Sequence, residues 1–143
     1  MRMQTILLAA VGLMAATDKP EADSVKEDKR KLQGNWAVMS VDLGTRSLSF
    51  FEGAAKGGRL VFEGDEVIFK GERAAKMAYR IDPNAKPKSI DLVSGKDTIE
   101  AIYDLDGDML RICVGDRKRP TEFVAKPGQE GQTLLILKRT KKP

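Results

Sequence analysis

Gly34-Asn35-Trp36-Ala37-Val38-Met39-Ser40-Val41-Asp42-Leu43 decides the fold. Its period is two: Trp36, Val38, Ser40 and Asp42 alternate with Ala37, Met39, Val41 and Leu43, as successive side chains do on a β-strand. The chain's single tryptophan stands at the head of this strand. Short alternating stretches follow it almost to the end of the sequence.

Working outward, residues 59–63 and 66–70 flank Gly64-Asp65, a tight hairpin signal because glycine tolerates positive φ. Residues 75–81 make a further strand, which ends at Asp82-Pro83-Asn84, where proline fixes φ and removes an amide. Residues 88–93 and 98–104 follow, then 109–114 after Asp106-Gly107-Asp108, then 121–125 and 132–138. Eight or nine strands joined by short turns form an antiparallel meander, and closure on itself removes the exposed edges. The expected class is all-β: an antiparallel up-and-down barrel of eight or nine strands with a short N-terminal helix. Residues 44–58 break the rhythm with small residues around Leu48, Phe50 and Phe51. A connection of that length reads as a lid-like loop.

Upstream, Met1-Arg2-Met3-Gln4 precedes a run from Thr5 to Ala16 that carries no charge. These are the basic and apolar regions of a secretory signal peptide, too short to span a bilayer. The expected organisation is a signal peptide over 1–17, a polar linker and short helix over 18–31, and a barrel domain over 32–140, with export to a periplasm or the extracellular space. Ser24-Val25-Lys26-Glu27 has capping-box spacing and predicts a helix from Ser24 to Leu32, ended by Gly34.

Composition narrows the chemistry. The chain of 143 residues has no histidine and one cysteine, Cys113. The commonest general base and zinc ligand are therefore missing, and no internal disulfide can form. The net charge of +4 owes much to Lys138, Arg139, Lys141 and Lys142, a solvated tail without interleaved aromatics for nucleic acid.

Six segments recur in an order that carries a resemblance: Leu32-Gln33-Gly34-Asn35-Trp36, Arg59-Leu60-Val61-Phe62-Glu63-Gly64-Asp65, Pro87-Lys88-Ser89-Ile90-Asp91-Leu92, Ile102-Tyr103-Asp104-Leu105-Asp106-Gly107-Asp108, Arg119-Pro120-Thr121-Glu122-Phe123 and Leu137-Lys138-Arg139. Together they resemble the lipocalin-like (calycin-type) domain of unknown function abundant in planctomycete-type bacteria. The resemblance implies a small, often exported barrel and brings no catalytic residue with it. It also implies that Trp36, entered through Gly34, packs under a basic side chain from the chain's end, Arg139 or Lys138, in a cation–π contact.

Candidate ligand-binding residues are Tyr79, Tyr103, Phe62, Phe69 and Phe123, which would line an apolar cavity with a polar tip. Arg119 would hold a carboxylate or phosphate if it points into the barrel. Core packing explains the aromatics equally well, and Arg119 has Asp91 and Glu100 as alternative partners at the rim. Cys113, among Leu110, Ile112 and Val114, reads as an inert buried thiol. Asp104, Asp106 and Asp108 lack the rest of an EF-hand and read as a hairpin turn. The expected function is non-enzymatic binding of a small apolar or amphipathic ligand. No cofactor, metal, nucleic acid or membrane span in the mature form is expected, and no protein partner is named. The rivals are a filled barrel acting as a structural or interaction module of the cell envelope, and an enzyme built on carboxylates or a tyrosine.

Overall fold

The computed structural model describes residues 23–42, 58–71, 74–115, 117–125 and 131–140. The leader and the lid-like loop over 44–57 lie outside the described residues. A helix, α1, covers residues 23–32. It leads into β1 (Gly34–Asp42), β2 (Arg59–Glu63), β3 (Glu66–Lys70), β4 (Ala75–Asp82), β5 (Ser89–Ser94), β6 (Asp97–Asp106), β7 (Met109–Gly115) and β8 (Gln132–Thr140). Each strand pairs with the next, and β1 pairs antiparallel with β8, so the sheet closes into an eight-stranded up-and-down barrel. Closure leaves no edge strand.

The hairpins form where the sequence places glycine. Gly64 turns β2 into β3 at φ +62°, a left-handed conformation that costs glycine little. Strand alternation then sorts the side chains. Leu60, Phe62, Val67, Phe69, Met77, Tyr79, Ile90, Leu92, Leu110, Ile112, Leu135 and Leu137 fill the interior, while their strand neighbours face outward.

Two elements depart from the pattern expected of them. In β1 the register slips between Val38 and Ser40. This bulge takes Met39 out of the ladder, leaving it 60% exposed. Val41 then stands opposite Leu135 and packs against the core. The simple alternation that would have put Val41 outside is corrected by one inserted residue.

Residues 121–125 are not a strand. They belong to a strap, 117–125, that leaves β7 and doubles back over the outside of the barrel. Its anchors explain the departure. Pro120 has no amide to give a ladder and is buried. The Arg111 guanidinium lies 4.4 Å from the Phe123 ring centroid. Gln132 donates from Nε2 to the Val124 carbonyl at 2.9 Å. Beneath the strap lie Ile102 and Cys113, which pair across β6 and β7 on the outer face and are fully buried. The wall thus carries a second apolar cluster on its exterior.

Gly115 sets how closely the strap approaches. A Cβ built there would lie 1.8 Å from the Lys118 carbonyl oxygen, a contact with backbone that no rotamer relieves. Gly115→Ala is expected to lift the strap and to cost about 1–3 kcal/mol, as overpacking does. Urea unfolding measures the loss, and faster thiol labelling of Cys113 reports the lifted strap.

Candidate functional site

Polar groups concentrate at the end of the barrel covered by α1. The helix is rich in charge, but Val25, Asp28 and Leu32 are spaced three and four apart and share one face. That face turns inward, burying Leu32 completely and leaving Asp28 5% exposed. Asp28 Oδ2 accepts from the Tyr103 hydroxyl at 2.6 Å and from Lys88 Nζ at 2.9 Å. A carboxylate at this depth is tolerated because it accepts two hydrogen bonds, one of them from a cation. Burial pushes the Tyr103 hydroxyl far above its ordinary pKa, and the hydrogen bond and charge of Asp28 push it further.

Tyr79 has a matching role across the floor. Its hydroxyl donates to the Gly64 carbonyl at 3.0 Å and lies 3.1 Å from Gln33 Nε2. Gln33 also accepts from the Gly64 amide at 2.8 Å. Lys29 pairs with Asp65 on the same hairpin. The Tyr79 pKa is raised as well, first by burial. Phe62 meets the Tyr79 ring edge to face at 5.1 Å. Both tyrosine hydroxyls therefore tie α1 and its exit to the barrel.

Trp36 completes the seal. It is fully buried, and its indole Nε1 donates to the Leu32 carbonyl at 2.8 Å. The Arg139 guanidinium covers the ring at 4.2 Å. Arg139 also donates from Nη1 to the Gln33 carbonyl at 3.0 Å and from Nη2 to the Lys31 carbonyl. Gly34 takes φ +115° directly beside it, where a Cβ would come 3.6 Å from Nη1. Glycine is needed for the backbone angle here; the space alone would admit a methyl group. Lys138, the other basic candidate, lies on the outward face of β8 and is exposed.

The six ligand candidates divide. Phe62, Phe69, Tyr79 and Tyr103 converge on the interior and are each 2% exposed or less. Arg119 and Phe123 sit on the outer wall. Arg119 donates from Nη2 to Asp91 at 2.7 Å and to Glu100 at 3.2 Å, and from Nη1 to the Ala101 carbonyl at 2.8 Å. Asp91 and Glu100 face each other across β5 and β6, so Arg119 clamps this strand pair instead of pointing into the barrel. Asp104 pairs with Arg111, and Asp108 faces Arg139 at 3.6 Å.

Sequence reading missed Asp28, although its place on the Val25–Leu32 face was a usable signal. It also missed Thr133, whose strand positions 133, 135 and 137 point inward with Leu135 and Leu137. Among the described residues Thr133 Oγ1 is the buried side-chain oxygen without a hydrogen-bond partner. A cavity of about 330 Å³ lies beside the plug, lined by Asp28, Lys31, Lys88, Leu105, Gly107 and Arg139. No group of histidine, cysteine, aspartate and glutamate among the described residues is arranged to hold a metal ion. No described helix is long and apolar enough to cross a membrane. No family model, curated protein or solved structure matches this chain.

Two outcomes test the seal. Trp36→Ala should lose about 3–5 kcal/mol in urea unfolding, the usual cost of truncating a buried tryptophan. Tyr103→Phe removes a donor from Asp28 and should cost about 1–3 kcal/mol at neutral pH. Because the folded protein holds the Tyr79 and Tyr103 protons above the unfolded value of about 10, only the unfolded chain releases them as pH rises past that point. Stability then falls with pH. A pH series of melting temperatures should show this alkaline loss, and Tyr103→Phe should make it shallower.

Proposed function

We propose that this chain is a filled-barrel module that acts through its outer surface, as a structural or protein-interaction domain, and not through chemistry in its interior. The exported, lipocalin-like setting suggested by the sequence belongs to the same proposal. One observation carries the reading. A void large enough for water leaves accessible area on the side chains around it. Leu60, Phe62, Val67, Phe69, Tyr79, Ile90, Leu92, Leu135 and Leu137 have 2% or less. Side chains alone fill an eight-stranded barrel of this size.

Two further facts support it. The interior hydroxyls are both engaged, Tyr79 with Gly64 and Gln33 and Tyr103 with Asp28 of α1, so neither is free to orient a substrate. Arg119, the best charged anchor in the sequence, serves the outer wall. The wall itself is elaborated, with a strap, an ion-pair clamp and the exposed Met39.

The carrier reading keeps one specific argument. Thr133 Oγ1 is buried and unpartnered, and an orphan polar atom calls for an explanation. A ligand reaching it would have to displace the packing around it, because Thr133 is fully buried.

One experiment separates the two readings. Wild-type protein is expected to show no saturable thermal shift with benzene or with neutral and anionic lipids, and to fly bare in native mass spectrometry after purification from its own host. Leu135→Ala, which opens a void in the core, should lose about 2–5 kcal/mol and gain a benzene-dependent shift. A retained small molecule on the wild type, or stabilisation by the lipid panel, would establish the carrier instead.

A further inference from the structure

The cavity beside the plug is lined mainly by charged side chains. Its walls come from four separated parts of the chain: α1 gives Asp28 and Lys31, the residue before β5 gives Lys88, the β6–β7 hairpin gives Leu105 and Gly107, and the end of β8 gives Arg139. Three of the six are cations and one is an anion. The anion is already occupied, since Asp28 holds Tyr103 and Lys88.

The cations are only partly answered. Arg139 is held at hydrogen-bond distance by the neutral carbonyls of Lys31 and Gln33. Its nearest carboxylate, Asp108, stands 3.6 Å away with a side chain 75% exposed, where solvent screens the pair. Lys31 meets Glu27 only at 3.9 Å, both side chains half exposed. Lys88 has three donors and uses one on Asp28. Fixed carbonyls orient the guanidinium, and the exposed Asp108 compensates its charge only weakly. Three cations against one carboxylate give the lining a net charge of +2 within concave, partly apolar walls, and field lines concentrate in such clefts.

We infer that this cavity binds a small, multiply charged oxyanion, phosphate or a phosphate monoester, between Lys31, Lys88 and Arg139. At about 330 Å³ it has room for the oxyanion and a compact organic substituent. Charge-assisted contacts from two lysines and an arginine recognise a dianion far better than a halide. The inference is independent of whether the barrel interior is filled.

The plug supplies its own reporter. Trp36 is the chain's single tryptophan, and Arg139 stacks on it at 4.2 Å while lining the cavity. An anion on the guanidinium alters the charge above the indole. We would titrate the full chain with inorganic phosphate and with phenyl phosphate at constant ionic strength in chloride, following Trp36 emission and, independently, calorimetric heat. The expected result is saturable binding that chloride does not reproduce. Lys31→Gln should weaken it roughly tenfold or more, as loss of a contact to a charged group does, without lowering the melting temperature. Lys138→Gln, on the outward face of β8, should leave it unchanged. A calorimetric response no greater than that to chloride would overturn the proposal. So would retained affinity in Lys31→Gln, or an equal loss in Lys138→Gln, which would mean general attraction to a basic end.

Discussion

The contact between Trp36 and Arg139 holds the two ends of the described chain together. β1 carries the tryptophan as its third residue and β8 closes on it, Trp36 and Arg139 standing opposite each other in the ladder. Magnitudes show how the work divides. A cation–π contact is worth about 0.5–2 kcal/mol, whereas removing a buried tryptophan costs about 3–5 kcal/mol. Most of the stability therefore lies in burying the indole. The guanidinium contributes direction, because its carbonyl contacts to residues 31 and 33 fix where α1 must stop. The indole N–H reaches the Leu32 carbonyl from below. The end of the helix is thus closed by the barrel's own terminal strands.

From that junction the polar network extends outward in two arms. One runs through Gln33 to Tyr79 and Gly64, and the other from Asp28 to Tyr103 and Lys88. Each arm engages a tyrosine hydroxyl, and in the second it helps to satisfy the buried Asp28 carboxylate, where a lost partner costs about 1–3 kcal/mol. Burial raises both tyrosine pKa values, and at Tyr103 the hydrogen bond and charge of Asp28 raise it further. The raised values have a structural origin, in the packing that joins the barrel to the helix and its exit.

Much of the barrel was legible because strand alternation is local. Residues 59–63 and 66–70, with Gly64 between them, state their own hairpin, and the structure has β2 and β3 over the same spans. The bulge at Met39 was not legible, because one inserted residue changes register without changing composition. Residues 121–125 carry Thr, Phe and Val, all good strand formers, yet their contacts are with Arg111 and Gln132 on the outer wall. Tertiary contact overrode propensity there. Arg119 shows the same limit: the sequence named Asp91 and Glu100 as partners but could not say which side of the sheet the arginine occupies. Asp28 was hidden by the charge run around it, although its spacing from Leu32 placed it on the buried face.

On the filled-barrel reading proposed here, any selectivity is expressed by what is added outside the barrel. Ile102 and Cys113 are apolar, face outward and are wholly buried, which makes sense only with the strap in place. Arg119 fixes the strap to β5 and β6 by charge-assisted contacts, and Gly115 lets it approach to backbone contact. At the other end, cations that close the plug also line a cavity whose carboxylate is occupied by its neighbours. A plug needs one arginine above its indole. Lys88 also answers the buried Asp28, and Lys31 meets Glu27 at the surface, yet both line the same cavity as Arg139, and the proposed anion site rests on that convergence of cations.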